Sequence, residues 1–123
     1  MKFAQSDVTD GNLIESYDRT RIRISGRDYG VSLTVTADEV APNWGPERID
    51  DLTAEHIETL LAADPQVVVI GTGTHQHIPD PELYFALLER GVGVEFMDTG
   101  AACRTYNILV GEGRRVIAAL LLD

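Results

Sequence analysis

The sequence predicts a compact α/β domain built round one glycine-rich strand–helix–strand unit, and three observations predict it. Val67-Val68-Val69-Ile70 is apolar at every position and runs into Gly71-Thr72-Gly73, the pattern of a strand buried on both faces that ends in a tight turn. Asp80-Pro81-Glu82 is a clean helix start, with a capping carboxylate, a proline at the first helical position and an acid beside the positive dipole end. Beyond residue 50 helical and strand periodicities alternate, which sets helices between strands of a parallel sheet. At 123 residues the chain has the size of one domain, and residues 1–123 are read as one.

The N-terminal third reads as strands. Leu13 to Tyr17 is a short one. Arg19, Arg21 and Arg23 alternate with Ile22 and Ile24, Gly26-Arg27-Asp28 reads as a turn, and Val31, Leu33 and Val35 read as the partner strand of a hairpin. Residues 41–51 carry Pro42, Trp44, Gly45 and Pro46 and read as a loop. The first helix is expected over 54–63, capped by Thr53, with Ile57, Leu60 and Leu61 as its inward stripe. The second follows Asp80, buries Leu83, Leu87 and Leu88, and closes at a left-handed Gly91. Val92, Val94 and Phe96 give the next strand. Thr99 is expected to cap a third helix over 100–110 that ends at Gly111, and 116–122 is the last strand. Strands 67–70 and 92–97 then lie parallel, because crossovers of this kind are right-handed almost without exception.

Composition narrows the function classes. Apolar residues make up 44% of the chain and charged residues 24%, as in an ordinary globular protein. Twenty acidic residues against ten basic ones give a formal charge of −10, which repels phosphate backbones and anionic lipid heads, so no nucleic-acid partner is expected. Cys103 is the only cysteine, which rules out an internal disulfide. Residues 1–10 lack the apolar core of a signal peptide, and the longest apolar run, 116–122, is far short of the roughly 20 residues that span a bilayer. A soluble, cytoplasmic protein with no transmembrane segment is the expectation.

Open α/β sheets hold ligands outside the carboxyl ends of their strands, which directs attention to the loops at 71–79 and 98–103. Gly71, Thr72 and Gly73 from the first, with Asp98, Thr99, Cys103, Tyr106 and Asn107 from the second and the helix it opens, form a candidate crevice. A dinucleotide fingerprint needs a third glycine where Gln76 stands, and a P-loop needs a Gly-Lys-Ser/Thr that is missing. No cofactor is therefore expected. His75 and His77 with Asp98 and Cys103 fall short of zinc-ligand spacing, and no metal is expected. A helix N-terminus would favour a Cys103 thiolate with a histidine as its base. The neighbours Ala101 and Ala102 point instead to close helix–sheet packing and an inert thiol, and no catalytic residue is assigned. Tyr106, in line with Ala102 and Leu109, and Asn107 need hydrogen-bond partners if they turn inward; carbonyls of the 71–73 loop would serve.

Arg19, Arg21, Arg23 and Arg27 form a basic stripe on the hairpin, a candidate surface for a protein partner. The plainer reading is a solvated strand face that charge guards against edge pairing. Arg114 and Arg115 read as surface ion-pair formers. Trp44 reads equally as an interface anchor or as a cover over the core.

Three stretches stand in order: Val67-Val68-Val69-Ile70-Gly71-Thr72-Gly73, then Val94-Glu95-Phe96-Met97-Asp98-Thr99-Gly100-Ala101-Ala102-Cys103-Arg104-Thr105-Tyr106-Asn107, then Glu112-Gly113-Arg114-Arg115-Val116. Together they resemble the domain shared by mitochondrial complex I assembly factor three and its bacterial and archaeal relatives. The resemblance covers nearly the whole chain and is sharpest over 67–121. It implies a three-layer fold, with a central mixed sheet, helices on one side, and a small β-layer plus helix on the other. It implies no established enzymatic activity, and a role through protein contacts in assembling a membrane respiratory complex. With no mitochondrial transit segment evident, a free-standing bacterial or archaeal member is expected. The leading expectation is a non-enzymatic binding or assembly module with a protein partner. The alternative is a small-molecule-binding protein or enzyme using the crevice between the 71–79 and 98–103 loops. Exposed strand edges also permit a homo-oligomer.

Overall fold

A computed structural model describes residues 11–78 and 80–122; the expectations placed on residues 1–10 and on Pro79 lie outside them. Strands β1 (Ile14–Tyr17), β2 (Ile22–Ile24) and β3 (Arg27–Tyr29) form an antiparallel meander. Strands β4 (Leu33–Val35), β5 (Val40–Pro42), β6 (Val67–Gly71), β7 (Gly93–Met97) and β8 (Val116–Leu120) form a mixed sheet in the order β5-β4-β8-β6-β7. β6 pairs in parallel with β7 and β8, while β4 runs antiparallel to β8 and β5. The helices are α1 (Ala54–Leu61), α2 (Pro81–Glu89) and α3 (Thr99–Gly111).

Side-chain alternation decides the layers. Val67 and Val69 of β6 share a core with Ala102, Cys103, Tyr106 and Val110 of α3 and with Ile14, Ile22 and Ile24 of the meander. Val68 and Ile70 face the opposite core, with Ile57 and Leu60 of α1 and Leu87 of α2. β8 divides in the same way, Val116, Ala118 and Leu120 against Ile117 and Ala119. The result is three layers: α1 and α2, the five-stranded sheet, then α3 with the meander. A central strand of such a sheet has no solvent face, which is why residues 67–70 are apolar without interruption.

The N-terminal hairpin closes earlier than expected. Ser25 and Gly26 both have positive φ, 49° and 81°, and Ile24 pairs with Arg27. Two consecutive left-handed residues make the two-residue turn whose twist matches the strands it joins. Arg27 and Asp28 are therefore strand, not turn. Leu33-Thr34-Val35 leaves the hairpin and joins the large sheet, where all three residues are buried. The stretch read as a loop over 41–51 contains part of β5 and a 3-10 turn at Ile49–Asp51.

Helix boundaries follow their caps. Thr53 caps α1 in a capping box with His56, and that helix ends at Leu61, two residues early. Asp98, not Thr99, caps α3: its carboxylate accepts a hydrogen bond from the Ala101 N–H at 2.9 Å. α3 runs through Gly111, and the left-handed residue beyond it is Gly113, with φ 77°. In α2, Leu87 is fully buried but Leu88 is 43% exposed, so Leu88 does not belong to the core stripe.

Candidate functional site

The loops that leave β6 and β7 are stitched together. Thr72 N–H donates to the Met97 carbonyl at 2.8 Å, and Thr99 N–H donates to the Gly73 carbonyl at 2.8 Å. The Thr99 hydroxyl, fully buried, donates to the Leu121 carbonyl at 2.6 Å and accepts from the Gly73 N–H at 2.9 Å. One side chain thus joins the ends of β6, β7 and β8. Thr72 Oγ1 donates to the His75 carbonyl at 2.6 Å and accepts from the His77 N–H at 3.2 Å, which folds the rest of the loop back on itself.

The two glycines serve different ends. Gly73 has φ 99° and needs the freedom of a residue without a Cβ. Gly71 needs the space: a Cβ there would lie 2.9 Å from the Thr99 Cα and 3.1 Å from the Ala102 Cβ. Gly71, Thr72, Gly73 and Thr99 are all buried and Asp98 is half-buried. The structure therefore brings Gly71, Thr72, Gly73, Asp98 and Thr99 of the assigned residues together, and it fills the space between them with the Thr99 side chain and the first turn of α3.

Cys103 and Tyr106 lie deeper, both with no exposed surface. Burial pushes the Cys103 thiol up to about 12 and raises the Tyr106 phenol above its ordinary value. At neutral pH both hold their protons. His75 and His77 stand on the exposed part of their loop, and His77 Nε2 lies 2.8 Å from Asp50 Oδ1. Cys103 and the histidines do not share a site. Among the described residues no group of three or more His, Cys, Asp and Glu side chains is placed to hold a metal.

Tyr106 and Asn107 find partners on β1 and the residues just before it, not on the 71–73 loop. The Tyr106 hydroxyl donates to the Asn12 carbonyl at 2.8 Å. Asn107 accepts from the Ile14 N–H at 2.9 Å and donates to the Ile14 carbonyl at 2.9 Å. Its amide therefore acts as one residue of an extra strand beside β1, an edge strand of the meander. Sequence spacing carries no signal of a pairing across 93 positions.

The arginine stripe carries its own counter-ions. Asp28 lies 2.9 Å from Arg21 Nη1 and 3.1 Å from Arg23 Nη1, and Asp18 lies 3.5 Å from Arg21 Nε. The Arg27 guanidinium lies 5.9 Å from the centroid of the Tyr29 ring, and Arg19 is exposed. Trp44 packs against the α1–α2 core and donates to Thr59 Oγ1 at 2.9 Å, which makes it a cover.

Two surface cavities lie away from the stitched loops, and a third borders the 71–79 loop through Gln76 and Ile78. One of about 690 Å³ sits beside Trp44 and Arg48, one of about 470 Å³ beside Asp38 and Arg114, and a groove of about 340 Å³ runs between α2 and β7. The groove includes Ile78 and Phe85, exposed apolar side chains that inward stripes do not pick out. Their signal in the sequence is that Pro81-Glu82-Leu83-Tyr84-Phe85-Ala86-Leu87-Leu88-Glu89 is apolar on more than one helical face.

Residues 14–121 match the model of a protein family of unknown function, DUF498/DUF598. The chain is 31% identical over 110 residues to the 13 kDa major membrane protein of Francisella tularensis, covering 87% of this chain and 88% of that one. It is 33% identical over 120 residues to the mouse NADH dehydrogenase [ubiquinone] 1 alpha subcomplex assembly factor 3, covering 95% of this chain; it spans 64% of the mouse protein's length. A crystal structure of a Bordetella parapertussis protein superposes with a TM-score of 0.86 at 41% identity, over 94% of this chain and 99% of that one.

Proposed function

The chain belongs to the DUF498/DUF598 family, and from that membership we propose that it is a protein-binding, assembly-type module that works from the cytoplasm and aids assembly of a membrane respiratory complex. The observation that carries this reading is its similarity, over 95% of its length, to a protein named as an assembly factor of NADH dehydrogenase. The use of polar groups supports a binding role over a catalytic one. Thr99, Tyr106 and Asn107 each direct their hydrogen-bonding atoms at backbone of the fold itself, and the Cys103 thiol is shut in the core as a protonated group. No helix among the described residues is long and apolar enough to cross a membrane. Such a module reaches a membrane complex through its protein subunits, which also accommodates a relative named a membrane protein.

The test is a crosslinked purification of the tagged chain from its own host in mild detergent, with subunits identified by mass spectrometry. Recovery of respiratory-complex subunits is expected. A variant with Arg19, Arg21 and Arg23 replaced by Glu, checked first for an unchanged melting curve, reports whether the arginine face makes the contact. Absence of every such subunit from the purified material overturns the assembly reading.

A further inference from the structure

The sheet has an open edge at β7, the last strand in the order β5-β4-β8-β6-β7. The register decides which backbone groups face outward. Gly93 N–H donates to Gln66 and the Met97 carbonyl accepts from Thr72, so residues 93, 95 and 97 turn their backbone toward β6. Val94 and Phe96 turn theirs away from the sheet. Gln76 Nε2 already donates to the Phe96 carbonyl at 3.1 Å. Among the described residues, the Val94 N–H, the Val94 carbonyl and the Phe96 N–H remain as a short run of outward donors and acceptors.

Beside this edge the surface is apolar. Ile78 is 67% exposed, Phe85 57% and Leu88 43%; these are three of the five large apolar side chains that stand out of the described surface. Pro81, Tyr84, Phe85 and Leu88 recur at helical spacing along one face of α2. Pro81, Tyr84, Phe85 and Ile78 line the groove together with Val94 and Phe96. The other side of the edge is acidic. Glu95 is exposed, alternates to the face of β7 opposite to Val94 and Phe96 while bordering the groove, and forms no ion pair among the described residues.

We propose that the β7 edge and the α2 groove together form a docking site for an extended segment of a partner protein whose side chains alternate apolar and basic. Such a segment pairs with Val94 and Phe96 as an added strand. Period-two alternation then sends every second side chain into the groove against Tyr84, Phe85 and Ile78, and the intervening ones to the Glu95 side. Charge selects the occupant. Glu95 borders the groove at the strand edge, the lining carries no Lys or Arg, and the chain has a formal charge of −10. A second copy of this chain fits poorly: antiparallel pairing of two β7 edges about their middle residue sets Glu95 directly against its own counterpart, and like charges placed opposite each other destabilise a strand pair. This inference rests on the chain being a protein-binding module, but not on which complex it serves.

The experiment uses the whole chain, isotopically labelled, titrated with two blocked eight-residue peptides, one alternating Val and Lys and the other alternating Val and Glu. The Val–Lys peptide is expected to bind with a Kd of about 1 mM or tighter, to slow hydrogen exchange at the Val94 and Phe96 amides, and to shift the signals of Phe85 and Ile78. The Val–Glu peptide is expected not to bind. Phe85→Ser and Ile78→Ser, both at exposed positions, should weaken the Val–Lys peptide by about tenfold each. Glu95→Lys should reverse the preference between the two peptides. Equal binding of both peptides, unchanged exchange at Val94 and Phe96, or unchanged affinity in the serine variants overturns the proposal. So does a dimer, seen in sedimentation, that Phe85→Ser abolishes, because the second copy is then the occupant. If respiratory subunits are recovered from the host while these arms fail, the assembly reading stands and the edge is not its surface.

Discussion

Replacing Asn107 by Ala removes both hydrogen bonds that tie α3 to β1. The Ile14 N–H and carbonyl, each held at 2.9 Å, lose their partner beside a side chain that is 1% exposed. Each bond contributes about 1 kcal/mol net, and a backbone group left without a partner costs about 1–3 kcal/mol where water does not reach it. Asn107 is half-buried, so water recovers part of that cost, and the expected loss is about 2–4 kcal/mol. For a domain of this size ~1 kcal/mol moves the melting temperature by about 4 °C, which predicts a fall of about 8–16 °C. Urea unfolding followed by circular dichroism measures the free energy, and hydrogen exchange at the Ile14 amide reports the bond itself. Ile108→Ala, at a position 62% exposed on the same helix, serves as the control and should stay within about 0.5 kcal/mol. Asn107→Asp keeps an acceptor for the Ile14 N–H but turns a carboxylate oxygen toward the Ile14 carbonyl. Its deficit should shrink in acid, where the carboxyl regains a proton to donate. An Asn107→Ala protein within 0.5 kcal/mol of the parent, with Ile14 exchange unchanged, would refute this account of how the meander is held.

Four further outcomes follow from the stitched loops and the buried thiol. Gly71→Ala forces a methyl group to within 2.9 Å of the Thr99 Cα, and the overpacking should destabilise the chain by about 1–3 kcal/mol in urea; a neutral result would mean that α3 is free to shift. Thr99→Val keeps the shape but leaves the Gly73 N–H and the Leu121 carbonyl without their shared partner, so a loss of about 2–4 kcal/mol is expected by the same assay. Iodoacetamide should leave Cys103 untouched in the folded protein at neutral pH and modify it fully in denaturant, since the thiol is buried and held near 12; fast native labelling would contradict the packing. The unfolded chain begins to release this proton near 9.0 while the folded chain retains it toward 12, and the raised Tyr106 phenol acts in the same direction. Stability should therefore be full below pH 9 and fall as pH rises toward 12, and Cys103→Ala should flatten that decline.

Local chemistry made much of this fold legible. The continuous apolar run at 67–70 announces a strand covered on both faces, because any solvent-facing position would have been polar. Asp80-Pro81 and Thr53 mark helix starts because their geometry suits the free N–H groups there and little else. The three-layer plan came from the resemblance, and its layers follow the odd–even alternation of β6 and β8. The misplaced turn at 26–28 shows where local reading ends. Ser25-Gly26 is as good a turn as Gly26-Arg27-Asp28 by composition, and only the pairing of Ile24 with Arg27 decides between them.

What the sequence by itself determined is the order and type of the main elements, the caps of α1 and α2, and the loops at the carboxyl ends of β6 and β7. Tertiary structure alone decided what individual residues do. Thr99 could have lined an open crevice, but packing drives it between Gly71 and Leu121 and closes the gap. Asn107 could have faced a ligand, but its amide meets the backbone of a strand 93 positions away. Phe85 could have been core, yet the sheet ends at β7 and leaves it in solvent. The physical reason is common to all three. Caps and periodicities act over one or two turns of chain, whereas the partner of a hydrogen-bonding or apolar group is set by which segments the whole core brings side by side.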